Sequence, residues 1–554
     1  MTAPDATIEA RLAAADPSGP RELGSLLERL AALGLVVGAR LDGRPIGTPA
    51  LARLAVRGPV DDSRRVRDGS IFVALPGEHV DGRDFVARAA VAGAALAVVG
   101  DPVPDAAIAQ LVVRDGRRTL AEAACWWYGD PSRELAVVGI TGTDGKTTTS
   151  YLATAALEAA GIRTGMLGTA GLRIGGRDAV NAEHVTTPAA PDLQRALRAM
   201  RLAGDAAAVV ETTSHGLALE RVAGIAYDAA IITNVTHEHL EFHGTFEAYR
   251  AAKLSLFEQL ASRRPAKPLE WPRLAIVNAD DPSADLFEAV AREAGARVVR
   301  YGTDARAEVR ATRVEEDARR LRVTFVAPSG ERTLDLRLAG RFNVHNALAV
   351  VALGEGIGLD PAAVAAGLEG VAGVPGRMER VDAGQPFGVI VDYAHTPASL
   401  EHVLDLLAPV AAARGGGLIA VFGSAGERDR AKRPMMGRLA GERCRLVVVT
   451  DEDPRGEDRV AILDEIAAGA EAVGRRRGRD LLVIADRRAA IAAAIERART
   501  GDVVVLAGKG HERTILTADG PVPWDERVAA VEALAAAGYV AAGHGAADSA
   551  RERS

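Results

Sequence analysis

The stretch VVGITGTDGKTTTSYL, residues 137–152, constrains this chain more than any other. An apolar run enters a glycine-rich turn and leaves as a helix-compatible segment. In such a loop, backbone N–H groups and a helix N-terminus point at phosphate oxygens. Gly142 and Gly145 let the backbone approach a ligand, with Thr143 and Asp144 between them. Lys146 can reach β- and γ-phosphates, and Thr147 or Thr148 can hold Mg²⁺. The strict phosphate-loop pattern asks for glycine at position 140, where the chain has Ile140. The match is therefore G-K-T-T with a shifted first glycine. A tight strand-to-helix turn with a surface lysine is the bland alternative. Strand, glycines, lysine and threonines together favour nucleotide binding. The loop alone leaves a kinase, an NTPase, a GTP switch and an ATP-dependent ligase open, although an N-K-x-D guanine motif is absent from the sequence.

Around the loop, short apolar runs alternate with helix-like stretches. The runs at 135–140, 206–210, 228–235 and 274–280 read as strands buried on both faces of a parallel sheet. Segments 147–160 and 191–202 read as helices between them. This alternation predicts an α/β layered fold. Three blocks follow. Residues 1–132 carry their own strand-helix pattern, including runs at 70–75 and 94–100. Residues 133–372 surround the glycine loop. Residues 373–554 follow the turn-rich segment 371–379 and hold five apolar runs, at 388–394, 417–423, 445–453, 481–486 and 502–508. Five such runs predict a Rossmann-like sheet. The last dozen or so residues read as a loose tail, and no internal repeat is found.

Composition narrows the function classes. A length of 554 residues fits three or four domains. A formal charge of −7 gives no basic excess, so nucleic acid is not expected as the main partner. Two cysteines, Cys125 and Cys444, exclude a disulfide framework and a cysteine-built metal site and fit a cytoplasmic location. No signal-like N-terminus and no long uncharged apolar run is found, so membrane insertion is not expected.

Two further clusters carry chemistry. ETTSHGL begins at Glu211, directly after an apolar run, so its carboxylate faces the same crevice as the glycine loop and can hold Mg²⁺. The segment 233–257 places His237, His239 and His243 beside Glu238 and Glu241. Its spacing is not that of H-E-x-x-H, and cysteine ligands are missing, which argues against structural zinc. A polar helix start with satisfied histidines is the alternative to a shared metal–phosphate site. Lys253 alone would read as a surface helix lysine.

Taken together and in order, G-T-D-G-K-T-T, E-x-T-S-H-G-L, T-N-x-x-x-E-H-L-x-x-H-G, A-A-K, G-x-F-N-x-x-N-A and V-D-Y-A-H-T-P resemble the Mur ligases over about residues 50–535. The nearest branch adds a diamino acid as the third peptide residue of a UDP-N-acetylmuramoyl-dipeptide. The resemblance implies a small UDP-sugar-binding α/β domain, a central P-loop ATPase-like parallel-sheet domain and a C-terminal Rossmann-like domain. It implies Ser63 and Glu78, His79 and Val80 as contacts to the UDP end. ATP would lie on Gly142–Thr148, with Asn343 and Asn346 at the adenine. Glu211 and His239 match the magnesium ligands. Thr186, Thr187 and Pro188, Thr213 and Arg221 match positions holding the muramoyl dipeptide. Lys253 matches a lysine carried as a carbamate, an anion that would bind or orient a second Mg²⁺. Arg377 lies at the hinge into the third domain, and Asp392 and His395 in the V-D-Y-A-H-T-P stretch.

The incoming amino acid is implied at Arg428, at Glu452, Asp453, Pro454 and Arg455, and at Gly508 and Glu512. Here the chain departs from the diaminopimelate branch, which carries D-N-P-R where this chain has E-D-P-R. Arg455 suits the far carboxylate of meso-diaminopimelate. Asp453 is expected to repel that carboxylate partly and to favour the lone ammonium of lysine or ornithine. Meso-diaminopimelate remains the leading expectation. The implied reaction is amide formation through an acyl phosphate, by a monomeric enzyme. A folylpolyglutamate synthetase-like ligase and a catalytically silent nucleotide-binding partner of wall-building enzymes are the rival readings.

Overall fold

The computed structural model describes residues 7–539 except 42, 78–79, 105, 180–184, 237–239, 262–265, 317–319 and 339. Glu78, His79, His237, Glu238 and His239, and the tail from 540, lie outside the described residues. Two compact units are present. The first holds Met1–Val314, Arg322–Asp335 and Phe342–Gly370. The second holds Glu315–Leu321, Leu336–Arg341 and Val371–Ser554.

The first unit contains two large sheets. One has six strands in the order Arg44–Ile46, Val36–Leu41, Ala109–Val113, Leu96–Val99, Ile71–Val73, Pro59–Val60. The last four run parallel. Leu23, Leu26, Leu30, Ile71, Leu96 and Leu111 form a core on one face of it. Helix Gly116–Tyr128 begins at Asp115, whose carboxylate accepts the Arg118 N–H, and ends at Gly129, φ 71°. That left-handed cap is where glycine is at ease.

The second sheet has eleven strands, and its parallel heart reads Thr164–Gly168, Ala207–Glu211, Ala136–Thr141, Ala229–Ile232, Leu274–Asn278, Arg297–Gly302. Every residue of Ala136–Thr141 is buried, as continuous apolar runs in a two-sided sheet require. Leu193, Leu197, Val210, Tyr227, Phe257 and Phe287 pack one face. Helix Ile8–Ala15 joins this core through Ile8 and Ala15, and the Arg11 guanidinium donates to the Ile174 carbonyl. The expected strands are all present, most of them shorter than the apolar runs by one to four residues at an end, while Ala136–Thr141 and Ala207–Glu211 each run one residue further. Strands Gly171–Ile174, Arg177–Ala179, Val309–Glu316, Leu321–Ala327 and Gly330–Leu336 extend the sheet beyond the expected runs. They are partly exposed and rich in charge, so no continuous apolar run marks them.

In the second unit, a six-stranded sheet runs Glu379–Arg380, Gly388–Asp392, Val503–Ala507, Leu418–Phe422, Leu446–Val449, Leu481–Val483. All but the first are parallel. Val503–Ala507, the last of these six in chain order, inserts between Gly388–Asp392 and Leu418–Phe422. Apolar side chains cover both faces. No helix among the described residues is long and apolar enough to cross a membrane.

Candidate functional site

The site in the first unit is built at the carboxyl ends of neighbouring strands, where ligands bind open α/β sheets. Ala136–Thr141 is flanked by Ala207–Glu211 and Ala229–Ile232, with Glu211 opposite Ile140 and Ile232 opposite Thr141. Each strand therefore delivers its following loop to one edge.

The glycine loop is held from its own neighbours. The Thr143 N–H donates to the Asn234 carbonyl at 2.8 Å, and the Asp144 N–H to Asn234 Oδ1 at 3.0 Å. Thr233 Oγ1 donates to the Asp144 carbonyl at 2.6 Å. Gly142 has φ 148°, and a Cβ there would collide with Thr233 Oγ1. Gly145, φ 83°, precedes helix Lys146–Ala159, and a Cβ there would collide with Asn346 Oδ1. Lys146 Nζ donates to the carbonyls of Gly142 at 2.9 Å and Thr143 at 2.6 Å. Thr148 is buried at the same helix start.

Glu211 is wholly buried and sits among hydroxyls. Thr147 Oγ1 donates to its Oε2 at 3.1 Å, Thr169 Oγ1 to Oε2 at 2.9 Å, and the Thr169 N–H to Oε1 at 3.2 Å. Thr186 Oγ1 lies 2.8 Å from Thr169 Oγ1. Thr187 Oγ1 donates to the Glu211 carbonyl at 2.9 Å and accepts the Thr213 N–H at 3.0 Å. Arg221 Nη1 donates to the Thr187 carbonyl at 2.8 Å, and burial lowers that guanidinium from its usual range. Thr186, Thr187, Thr213 and Arg221 thus stand together beside Glu211.

Lys253 is not the surface lysine its isolated sequence suggests. Only 1% exposed, its ammonium donates to the Gly142 carbonyl at 2.6 Å and lies 4.3 Å from the Tyr249 ring centre. Tyr249 stands one turn earlier on helix Phe246–Glu258, so the two share a face. Its hydroxyl is 2.9 Å from Thr143 Oγ1. His243 packs against Tyr249 and His215, with ring centres 5.3 and 5.5 Å apart.

Asn343 and Asn346 open helix Phe342–Ile357 and are buried. Asn346 Nδ2 donates to Asn343 Oδ1 at 2.9 Å, and Thr149 Oγ1 donates to Asn346 Oδ1 at 3.2 Å. Both asparagines are therefore tied to the glycine-loop helix. Ser63 lies in a turn where the Arg64 N–H donates to Asp62 Oδ1 at 2.8 Å. Two residues on, Arg65 forms a two-pronged pair with Asp192 of helix Ala190–Leu202, at 2.7 and 2.9 Å. Val80 is about half exposed.

A second group lies in the second unit, on loops after Leu418–Phe422, Leu446–Val449 and Val503–Ala507. Glu452, Asp453, Pro454 and Glu512 are buried and Arg428 is exposed. Arg455 takes φ 54°, its N–H donating to the Leu516 carbonyl at 2.9 Å. Lys509, with no exposed surface, donates to Asp453 Oδ1 at 2.7 Å and pairs with Glu512. The Leu516 N–H also donates to Asp453 at 2.9 Å. Lys509 therefore offsets part of the Asp453 charge from within the fold, while its one ammonium also serves Glu512. Glu452 Oε2, by contrast, is buried without a hydrogen-bond partner among the described residues. Tyr393 OH donates to Glu512 at 3.3 Å, and its ring stands between His395 and His511. The Arg377 guanidinium lies over the same ring at 5.1 Å. Asp392 accepts the Met378 and Ala394 N–H groups, and burial pushes its carboxyl up.

The residues present fit Mg²⁺ and a phosphate chain. The side-chain atoms around Glu211 that could ligate a cation, the Thr147 and Thr169 hydroxyls and the carboxylate itself, are oxygens, the set hard cations take, and the two glycines leave a cradle that a Cβ would fill. Thr169, Tyr249, Asn234 and Lys509 belong to these sites and escaped sequence reasoning. Tyr249 had a usable signal, its four-residue spacing from Lys253. Thr169 follows a strand whose apolar run is only Met166 and Leu167 between glycines.

Comparison with known proteins gives three matches along the chain. Residues 61–127 match the Mur ligase family catalytic domain, residues 140–354 the Mur ligase middle domain, and residues 376–510 the Mur ligase glutamate ligase domain. A UDP-N-acetylmuramyl-tripeptide synthetase of Roseiflexus sp. (strain RS-1) is 50% identical over 491 residues, 87% of this chain and 95% of that protein. A UDP-N-acetylmuramoyl-L-alanyl-D-glutamate–2,6-diaminopimelate ligase of Solibacter usitatus is 41% identical, over 90% of this chain and 97% of that protein. A solved structure of a ligase of that same name superposes with a TM-score of 0.61 at 30% identity, covering 91% of this chain and 99% of that one.

Proposed function

The chain belongs to the Mur ligase family, and from that premise we propose that it joins a diamino acid to UDP-N-acetylmuramoyl-L-alanyl-D-glutamate at the expense of ATP. The product is the tripeptide precursor of peptidoglycan, and the enzyme is an ATP-dependent acid–amino-acid ligase. A carboxylate does not accept an amine at neutral pH, and ATP removes that obstacle. An oxygen of the glutamyl carboxylate attacks the γ-phosphorus, ADP leaves, and an acyl phosphate remains. The amine then attacks the acyl carbon, phosphate departs with the transferred oxygen, and the nitrogen sheds a proton.

The chain's own residues supply charge and position. Backbone N–H groups of 142–148 grip the phosphates, and Lys146 exchanges its carbonyl contacts for phosphoryl oxygens as negative charge spreads over them. Thr147 and Glu211, with His239, would hold Mg²⁺, whose charge would screen that of the phosphates. Thr186, Thr187, Thr213 and Arg221 orient the muramoyl dipeptide, while Ser63, Glu78, His79 and Val80 receive the UDP end. Asn343 and Asn346 take the adenine. Loss of a proton from the Lys253 ammonium, attack of the neutral amine on carbon dioxide and loss of a second proton would leave a carbamate, an anion able to orient a second Mg²⁺. We further propose a monomer in the cytoplasm, where the free thiols of Cys125 and Cys444 stay reduced.

For the amino acid we propose meso-diaminopimelate, received by Arg428, Glu452, Asp453, Pro454, Arg455, Gly508 and Glu512. The Asp453–Lys509 pair supports this over lysine or ornithine, because it leaves Arg455 to meet a carboxylate while Glu452 meets an ammonium. Equal amounts of the three amino acids, with the tripeptide read by mass, decide between them.

One observation carries the catalytic reading: the Thr147–Glu211 contact at 3.1 Å and the two lysines on the Gly142 carbonyl lie at the carboxyl ends of two paired strands. With ¹⁸O in the glutamyl carboxylate, the label is expected in released phosphate. Unlabelled phosphate would overturn the acyl-phosphate route.

A further inference from the structure

We propose that Arg487 is a positioning residue that sets the spacing between the two loops of the amino-acid pocket, with Glu526 as its counter-charge. The proposal rests on the assignment of Glu452, Arg455 and Gly508 to that pocket.

Arg487 opens helix Arg487–Glu496 and is 2% exposed. Its Nη1 donates to the Asp451 carbonyl at 2.9 Å, and its Nη2 to the Ala507 carbonyl at 2.8 Å. Those carbonyls immediately precede Glu452 and Gly508. They belong to strand ends that are not neighbours, because Leu418–Phe422 lies between them. One guanidinium therefore spans the middle strand and ties the loop on either side. Its remaining valence is used by Glu526, at 2.9 Å from Nε and 2.6 Å from Nη2, and Trp524 Nε1 donates to the same carboxylate at 2.7 Å.

The geometry at the tied points is tight. A Cβ at Gly508 would come within 3.2 Å of Glu452 Oε2, the buried oxygen that has no partner among the described residues. A shift of either carbonyl passes directly into the gap between Glu452 and Gly508. Buried ion pairs add little stability over apolar residues of the same volume. A planar five-donor fork, however, fixes two carbonyls and a carboxylate at once, which a lysine cannot do. Outer partners of metal-ligating side chains typically move affinity by about 10- to 100-fold, and the lower end of that range is the effect expected here.

The test uses the full-length enzyme with ATP, UDP-N-acetylmuramoyl-L-alanyl-D-glutamate and meso-diaminopimelate. R487K is expected to raise KM for the amino acid about tenfold while KM for ATP and for the muramoyl dipeptide stay within about twofold. W524F, which keeps the ion pair and loses one hydrogen bond, is expected to give the same selective rise at smaller size, and it stands in if R487K fails to fold. Equal changes in all three KM values, or none in the amino-acid KM for either variant, would overturn the proposal. R455A separates the two levels. If it leaves the amino-acid KM unchanged, the pocket assignment falls and the proposal with it. If it raises that KM while R487K and W524F do not, the positioning role alone falls.

Discussion

Lys146 and Lys253 donate to the same oxygen, the Gly142 carbonyl, at 2.9 and 2.6 Å. Their nitrogens are therefore at most about 5.5 Å apart. At an effective dielectric of about 20, two ammonium groups at that distance repel by about 3 kcal/mol before solvent screening. One carbonyl dipole does not cancel two full charges. An anion bound at the glycine loop, or conversion of Lys253 into one, would lower that repulsion.

Lys146→Ala is expected to lower kcat by at least about 100-fold, because it removes a cation from the transferred phosphoryl group. Its two contacts are to carbonyls of its own loop, so the thermal midpoint should shift by only a few degrees. Phosphate release measured alongside thermal unfolding checks both halves. Near-normal turnover would refute the assigned role.

Lys253 is expected to carry a carbamate under bicarbonate. ¹³C NMR of enzyme equilibrated with labelled bicarbonate should show one carbamate resonance per chain, absent from Lys253→Arg. The variant keeps a cation but cannot take up the label in this form. If the two spectra are alike, the modification is wrong.

Glu211→Gln should raise the Mg²⁺ concentration needed for half-maximal activity by about tenfold or more, since a neutral amide replaces the buried anion. A titration with Mg²⁺ at fixed ATP gives the shift directly. An unchanged midpoint would remove Glu211 from the metal site.

Asp205 offers a pH test away from the chemistry. It is 2% exposed, and burial pushes its carboxyl up to about 6 against an ordinary value of 3.8. Its Oδ2 accepts the Gly175 N–H at 2.8 Å, and its Oδ1 is buried without a partner among the described residues. The folded state therefore holds this proton more tightly than the unfolded state does. Stability from this group is full below pH 4 and declines as pH rises to 6, by about 3 kcal/mol at most. Asp205→Asn should flatten that decline and unfold at higher temperature than the parent at pH 8 but not at pH 4. Parallel pH profiles of the two thermal midpoints would contradict it.

Much of the site was legible because its chemistry is local in sequence. The glycine loop and the 452–455 stretch follow buried strands and Glu211 ends one, and a strand's end fixes where the next residues emerge. Lys253 and Asp453 show where that legibility stops. Nothing beside Lys253 in the chain marks it as buried, since Gly142 is over a hundred residues away. The charge of Asp453 reads in sequence as an unopposed repulsive group, and Lys509, 56 residues on, donates to it.

The order of apolar runs and turn residues alone determined the α/β class, the phosphate loop and the pairing of strand ends with polar loops, because backbone geometry and burial act over a few residues at a time. Only the tertiary structure decided which charges meet. Ion pairs such as Arg487–Glu526 and shared acceptors such as the Gly142 carbonyl depend on strand order, and strand order is set by crossovers that no local pattern records.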